Sequence, residues 1–135
     1  MTARTALLAG GVFSALSVIL GAFGAHALKD RIQPEQLQSF ETGVRYQFYH
    51  GLALILTGII ASRSPESTWK WPMYLFFAGT ILFSLSIYLL STREILGIES
   101  WKSILGPITP IGGLCLIIGW CLFCFSALKS TETLN

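Results

Sequence analysis

Four apolar runs, at residues 5–28, 43–61, 71–90 and 104–128, fill most of this 135-residue chain. A helix of roughly 20 apolar residues crosses a hydrocarbon core about 30 Å thick. Within lipid a segment must also satisfy its own backbone N–H and C=O groups, which favours helices. The pattern predicts an all-α protein: a four-transmembrane-helix bundle forming a single integral membrane domain over residues 1–135. Charged residues make up only 12% of the chain, against about 25% in soluble domains. The short connections and tails leave no room for a soluble catalytic domain, so any chemistry must sit between helices or at the membrane surface. A net charge of +2 is too small to indicate a nucleic-acid partner.

The first run begins after Arg4 and ends near Ala25, His26 and Ala27, which imitates a secretory signal with a small-residue cleavage site. Its apolar stretch exceeds the roughly 7–15 residues of a signal core, so a retained helix is expected. Four spans place both termini on one face, with Arg4, Arg63, Lys70 and Lys129, opposite Lys29, Arg31, Arg45, Arg93 and Lys102. Four bases against five do not decide orientation by the positive-inside rule. The acidic residues Asp30, Glu35, Glu41, Glu94 and Glu99 crowd the second face, which leans the expectation toward cytoplasmic termini.

Within the first span Gly10, Ser14, Ser17, Gly21 and Gly24 share one helix face, and Gly11, Ala15, Ala22 and His26 mark another. Small residues let membrane helices approach closely, and two such faces predict that this helix lies at the centre of the bundle. In the connection that follows, Pro34 sits at a helix start, with Leu37, Phe40 and Val44 recurring on one side. That reads as a short interfacial helix between spans one and two. Pro65 predicts a turn before span three, and Trp69, Trp71 and Trp101 are expected as headgroup-level anchors. Pro107, Pro110, Gly112 and Gly113 weaken the first turns of span four and predict a bend there, with a backbone-lined ligand site as the alternative.

The polar residues of the spans gather at one end. His26 closes span one, His50 lies near the start of span two, Ser84, Ser86 and Tyr88 fall late in span three, and Thr109 falls early in span four. Two inward stripes follow at helical spacing: Gly43, Tyr46, His50, Ala53, Thr57 and Ala61, and Thr80, Ser84, Tyr88 and Ser91. Glu41 and Arg45 have the spacing of a helical ion pair, expected to clamp the mouth of a pocket with His50 deeper inside. The candidate ligand-binding or pocket-lining set is His26, Glu41, Arg45, Tyr46, Gln47, His50, Ser84, Tyr88 and Thr109.

No cofactor, metal site or catalytic residue is expected. Intramembrane histidines invite a functional hypothesis, but an imidazole bonded to a neighbouring carbonyl or hydroxyl can equally join two helices. A metal or haem needs several ligands at one point, and no HxxH or HxxxH pairing supplies them. The stretch WCLFC, residues 120–124, imitates a thioredoxin motif, yet that chemistry needs a helix N-terminus and an accessible thiolate. Cys121 and Cys124 lie inside an apolar helix, and Cys115 makes the count odd, which fits no disulfide framework.

The stretches GAFGAHALK (21–29), FETGVRYQFYHGLAL (40–54), FSLSIYLL (83–90) and ITPIGGLCLIIGW (108–120) together resemble the domain of unknown function 423 family. That family comprises small four-span membrane proteins, including the YgdD- and YwdK-like proteins of bacterial inner membranes and transmembrane protein 256 of eukaryotes. The resemblance spans nearly the whole chain. It implies a multi-pass location in the bacterial inner membrane and brings no activity.

The expectation is therefore a non-enzymatic integral membrane protein with a polar pocket at one membrane face. A small ligand, a lipid headgroup or a partner subunit would occupy it, with membrane lipid, a second copy of the chain or a larger membrane complex as partners. The alternative is a small transporter or proton-coupled carrier using His50, Glu41 and Arg45. A membrane enzyme ranks last, for want of a partnered nucleophile, metal box or phosphate loop.

Overall fold

A computed structural model describes residues 1–64 and 67–130. Among these residues all regular structure is helical. Four long helices dominate: α1 (Ala3–Leu28), α2 (Pro34–Arg63), α3 (Lys70–Ser91) and α4 (Lys102–Lys129). Thr2 and Thr5 close a reciprocal capping box at the start of α1, and Pro34 opens α2 at a position where its missing N–H costs nothing. Gly97, at φ 66°, ends the single turn Arg93–Leu96 in the left-handed conformation that suits glycine. The turn expected at Pro65 lies outside the described residues.

Among the described residues three helices, α1, α3 and the segment containing α4, are long and apolar enough to cross a membrane. α2 has the length, at 30 residues, but Glu35, Glu41, Arg45, Gln47 and His50 make its first half too polar to join them. The interfacial helix expected before span two is not a separate element: residues 34–63 form one unbroken helix. The weakened start expected for span four is likewise a continuous helix that contains Pro107 and Pro110.

The helices pack in sequence, α1 on α2, α2 on α3 and α3 on α4, with only a light contact between α1 and α3. α2 and α3 are therefore central, and the expectation that α1 is the hub is corrected. The physical reason is that one of its two small-residue faces meets a helix. A Cβ on Gly10 would lie 2.5 Å from the Gly51 carbonyl oxygen, and one on Gly24 would lie 3.2 Å from the Phe40 ring. Gly11, Ala15, Ala22 and His26 are exposed instead.

The core holds Ala6, Ala53, Leu54, Met73, Phe76 and Leu116. Trp69 is not the surface anchor expected of it: it is buried, edge-on to Phe123 with ring centroids 5.3 Å apart. Trp71 and Trp101 are exposed, and Lys70 Nζ lies over the Trp71 ring. α1 and α3 each contain a π-helical turn, Gly24–Leu28 and Ile81–Leu85. The second sits where α4 comes closest, because a Cβ on Gly112 would collide with the Phe83 backbone.

Candidate functional site

The candidate residues divide into three groups. The first is a set of interior ties. Gln47, 6% exposed, donates through Nε2 to the Phe13 carbonyl at 3.0 Å and accepts through Oε1 from the Tyr88 hydroxyl at 2.9 Å. One amide thereby joins α1, α2 and α3. Ser84 donates to the Gly43 carbonyl at 2.9 Å, and Ser86 and Thr109 share a hydroxyl–hydroxyl bond of 2.7 Å between α3 and α4. The approach of α2 to α3 depends on Gly43, where a Cβ would lie 2.8 Å from the Tyr88 ring.

The second group surrounds His50, which is 4% exposed. Its Nδ1 lies 2.7 Å from the Tyr46 carbonyl, and its Nε2 accepts from the Trp120 indole N–H at 3.1 Å. A carbonyl only accepts and an indole N–H only donates, so the hydrogen-bond network assigns a neutral imidazole protonated on Nδ1. Phe76 and Trp120 pack nearby with their rings tilted, centroids 4.8 Å apart. Above them a lateral groove of about 630 Å³ runs between α2 and α4, walled by Tyr46, Tyr49, Phe83 and Trp120.

The third group lies on exposed surface. His26 occupies the outer face of the π turn that ends α1, and Glu41 and Arg45 are exposed on α2. The ion pair expected between them does not form. Arg45 donates instead to the Thr42 hydroxyl at 3.1 Å, and among the described residues the ion pair within reach is Arg93–Glu94, at 3.5 Å. Cys121 and Cys124 are exposed and free, and Cys115 is half-buried and free. Among the described residues no three His, Cys, Asp or Glu side chains converge where a metal could be held.

The structure also builds a cleft that the sequence pattern does not outline. It has a volume of about 580 Å³ and lies between the first turns of α2, the end of α3 and the first turns of α4. Glu35, Gln36, Ser39, Thr42, Ser91 and Arg93 supply its polar lining, while Ile87, Leu90 and Pro110 supply an apolar part. Thr109, of the predicted set, also lines it.

Most of these polar side chains are engaged. Gln36 donates to Glu94 at 2.9 Å, Ser39 to the Glu35 carbonyl at 2.9 Å and Thr42 to the Gln38 carbonyl at 3.0 Å. Arg93 donates to the Leu90 carbonyl at 2.7 Å and keeps further N–H groups. Two side chains are not engaged. The Ser91 hydroxyl is buried without a partner, and the Glu35 carboxylate has no ion pair among the described residues. Gly106 also lines the cleft, and its carbonyl has no i+4 donor because residue 110 is proline.

The family model described as "Protein of unknown function (DUF423)" matches residues 20–113. The chain belongs to this family. The UPF0382 membrane protein YwdK of Bacillus subtilis (strain 168) is 40% identical over 127 residues, covering 91% of this chain and 95% of that protein. The UPF0382 membrane protein SH2409 of Staphylococcus haemolyticus is 38% identical over 123 residues, covering 91% of this chain and 94% of its own. DUF423 membership, relatives described as membrane proteins and the three apolar helices together make this an integral membrane protein. No solved structure matches the chain.

Proposed function

We propose that this DUF423 chain is a non-enzymatic protein of the bacterial inner membrane that crosses it four times and holds a membrane lipid by its headgroup. α2 would be the fourth span, its exposed polar first turns standing at headgroup level and its buried Gln47 and His50 shielded by the neighbouring helices, with both termini cytoplasmic. The observation that carries the reading is the lining of the 580 Å³ cleft. Charged and hydroxyl groups lie beside Ile87 and Leu90, as a molecule with a polar head and an acyl chain requires. Polar lining with such apolar walls is the usual composition of a small-molecule site.

A proton carrier built on His50, Glu41 and Arg45 has less support. Both His50 nitrogens are occupied, and Glu41 and Arg45 stand apart from His50 on exposed surface. The test is native mass spectrometry of protein extracted gently from its own membrane. A stoichiometric phospholipid is expected, and the same spectrum reads the oligomeric state. A bare protein, or a second polypeptide bound in place of lipid, would overturn the reading.

A further inference from the structure

We propose that the lateral groove between α2 and α4 binds a membrane-soluble quinone, a flat ring with two carbonyl oxygens on an isoprenoid tail. The groove shares no lining residue with the headgroup cleft, so this second site stands whether or not the cleft holds a lipid. Its volume of about 630 Å³ falls in the range of small-molecule sites. Tyr46, Phe83 and Trp120 give it aromatic walls, and buried His50 lies at its inner edge.

The depth of the groove decides its chemistry. Tyr46 and Tyr49 lie roughly 18 Å or more from either end of α2, at 1.5 Å per residue. That is inside a hydrocarbon core about 30 Å thick, whereas tyrosines of membrane helices ordinarily gather at the headgroups. Tyr46 is not turned toward that surface: its ring lies against Phe83 and His50, at centroid distances of 4.8 and 6.0 Å. Among the described residues neither the Tyr46 nor the Tyr49 hydroxyl has a hydrogen-bond partner. Both residues are open to the outside, at 41% and 55% exposure. The other polar side chains of the groove are engaged with each other, the Trp120 indole donating to His50.

An O–H left unbonded in hydrocarbon is costly, so these tyrosines require an acceptor at mid-membrane depth. Phospholipid chains carry none there, since their ester and phosphate oxygens lie at the interface. A quinone ring supplies two carbonyl acceptors and no donor, is apolar enough to enter hydrocarbon, and presents a flat face to aromatic walls. Gly113 shows that the groove is more than a packing seam. A Cβ there would meet the Phe83 ring at an ordinary 3.6 Å, while at adjacent Gly112 it would collide with the Phe83 backbone. Helix packing therefore requires the glycine at 112 but not the one at 113, whose effect is to keep the groove open.

The experiment titrates delipidated full-length protein in mild detergent with a naphthoquinone bearing a short isoprenoid tail, and with the naphthalene that has the same tail and no carbonyls. Native mass spectrometry reads the bound molecule, and infrared difference spectra read the quinone carbonyl stretch. One quinone per chain is expected, bound about tenfold tighter than the naphthalene, consistent with net hydrogen bonding, and with its carbonyl stretch lowered. The double variant Tyr46→Phe, Tyr49→Phe should bring the quinone to the affinity of the naphthalene, abolish the shift of the stretch and leave naphthalene binding unchanged. Gly113→Leu should block both compounds at an unchanged or raised melting temperature; if it proves unstable, the tyrosine pair, which loses only two oxygens, still decides. Equal binding of the two compounds by the parent, a preference that survives the double variant, undiminished binding in a folded Gly113→Leu protein, or no binding of either compound would overturn the proposal.

Discussion

Ser84 and Ser91 lie two turns apart on α3, both buried, yet their hydroxyls stand in opposite conditions. Ser84 is bonded to the Gly43 carbonyl of α2, whereas Ser91 borders the cleft with no partner. The same contrast holds around them. In the interior, Gln47, Tyr88, His50, Ser86 and Thr109 bond to neighbouring helices and few polar groups are left over. Around the cleft the Ser91 hydroxyl has no partner and the Glu35 carboxylate has no ion pair among the described residues. A polar group bonded within the fold specifies how helices meet, while one left open at the edge of a cavity is available to a ligand. Polarity alone therefore does not mark a site in a membrane protein; unspent hydrogen-bonding capacity does.

The comparison is tested most severely by adding atoms. Gly43→Leu should cost about 3 kcal/mol, because Tyr88 stands against that position. Gly106→Ala, with nothing within 4 Å of its Cβ, should be neutral or stabilise by up to ~1 kcal/mol through helix propensity. Unfolding in detergent titrated with SDS measures both, and equal destabilisation would erase the distinction between a packed interior and an open cleft. Gln47→Leu comes next. It leaves the Tyr88 hydroxyl without its acceptor and should cost about 2 kcal/mol by the same measurement.

Trp120→Phe sharpens the picture of the histidine. Removing the indole N–H leaves His50 Nε2 without a donor and should cost about 1 kcal/mol. In the parent, long-range 15N–1H spectra should find the proton on Nδ1; a signal for Nε2–H would contradict the helix-joining arrangement. The smallest effects belong to the two serines. Ser84→Ala should destabilise by about 1 kcal/mol, and Ser91→Ala should stay within about 0.5 kcal/mol in lipid-free protein. A Ser91→Ala cost matching that of Ser84→Ala would mean that Ser91 has a structural partner after all.

Much of the candidate site is written in local pattern. The period of Thr80, Ser84 and Ser91 places all three inward, and all three are buried. Gly43, His50, Ala53 and Thr57 are buried on α2 as their spacing requires. Tyr46, which shares that stripe, is 41% exposed, because it walls a groove that α4 leaves open. The Pro110 signal also carried information, since a proline at residue 110 frees the carbonyl of Gly106 whatever the tertiary fold. What it could not convey is that Gly106 lines the same cavity as Glu35 and Ser91, residues 71 and 15 positions earlier.

The partners of side chains were hidden for a related reason. Trp120 serves His50 across a separation of 70 residues, and nothing in the sequence around WCLFC points to that bond. Glu41 and Arg45 show the reverse error: their i,i+4 spacing permits an ion pair, but the Thr42 hydroxyl lies closer to hand and Arg45 takes it.

The sequence by itself determined that this chain is helical and lives in a membrane, because apolar runs of spanning length admit few other structures in lipid. It also determined which face of most helices turns inward, since helical periodicity is a local property. The tertiary structure alone decided that α1 lies at the edge, that His50 is held by an indole, and that the first turns of α2, the end of α3 and the first turns of α4 share one cleft. Those facts depend on which helices become neighbours, and one pattern of small residues is compatible with several neighbours until packing selects among them.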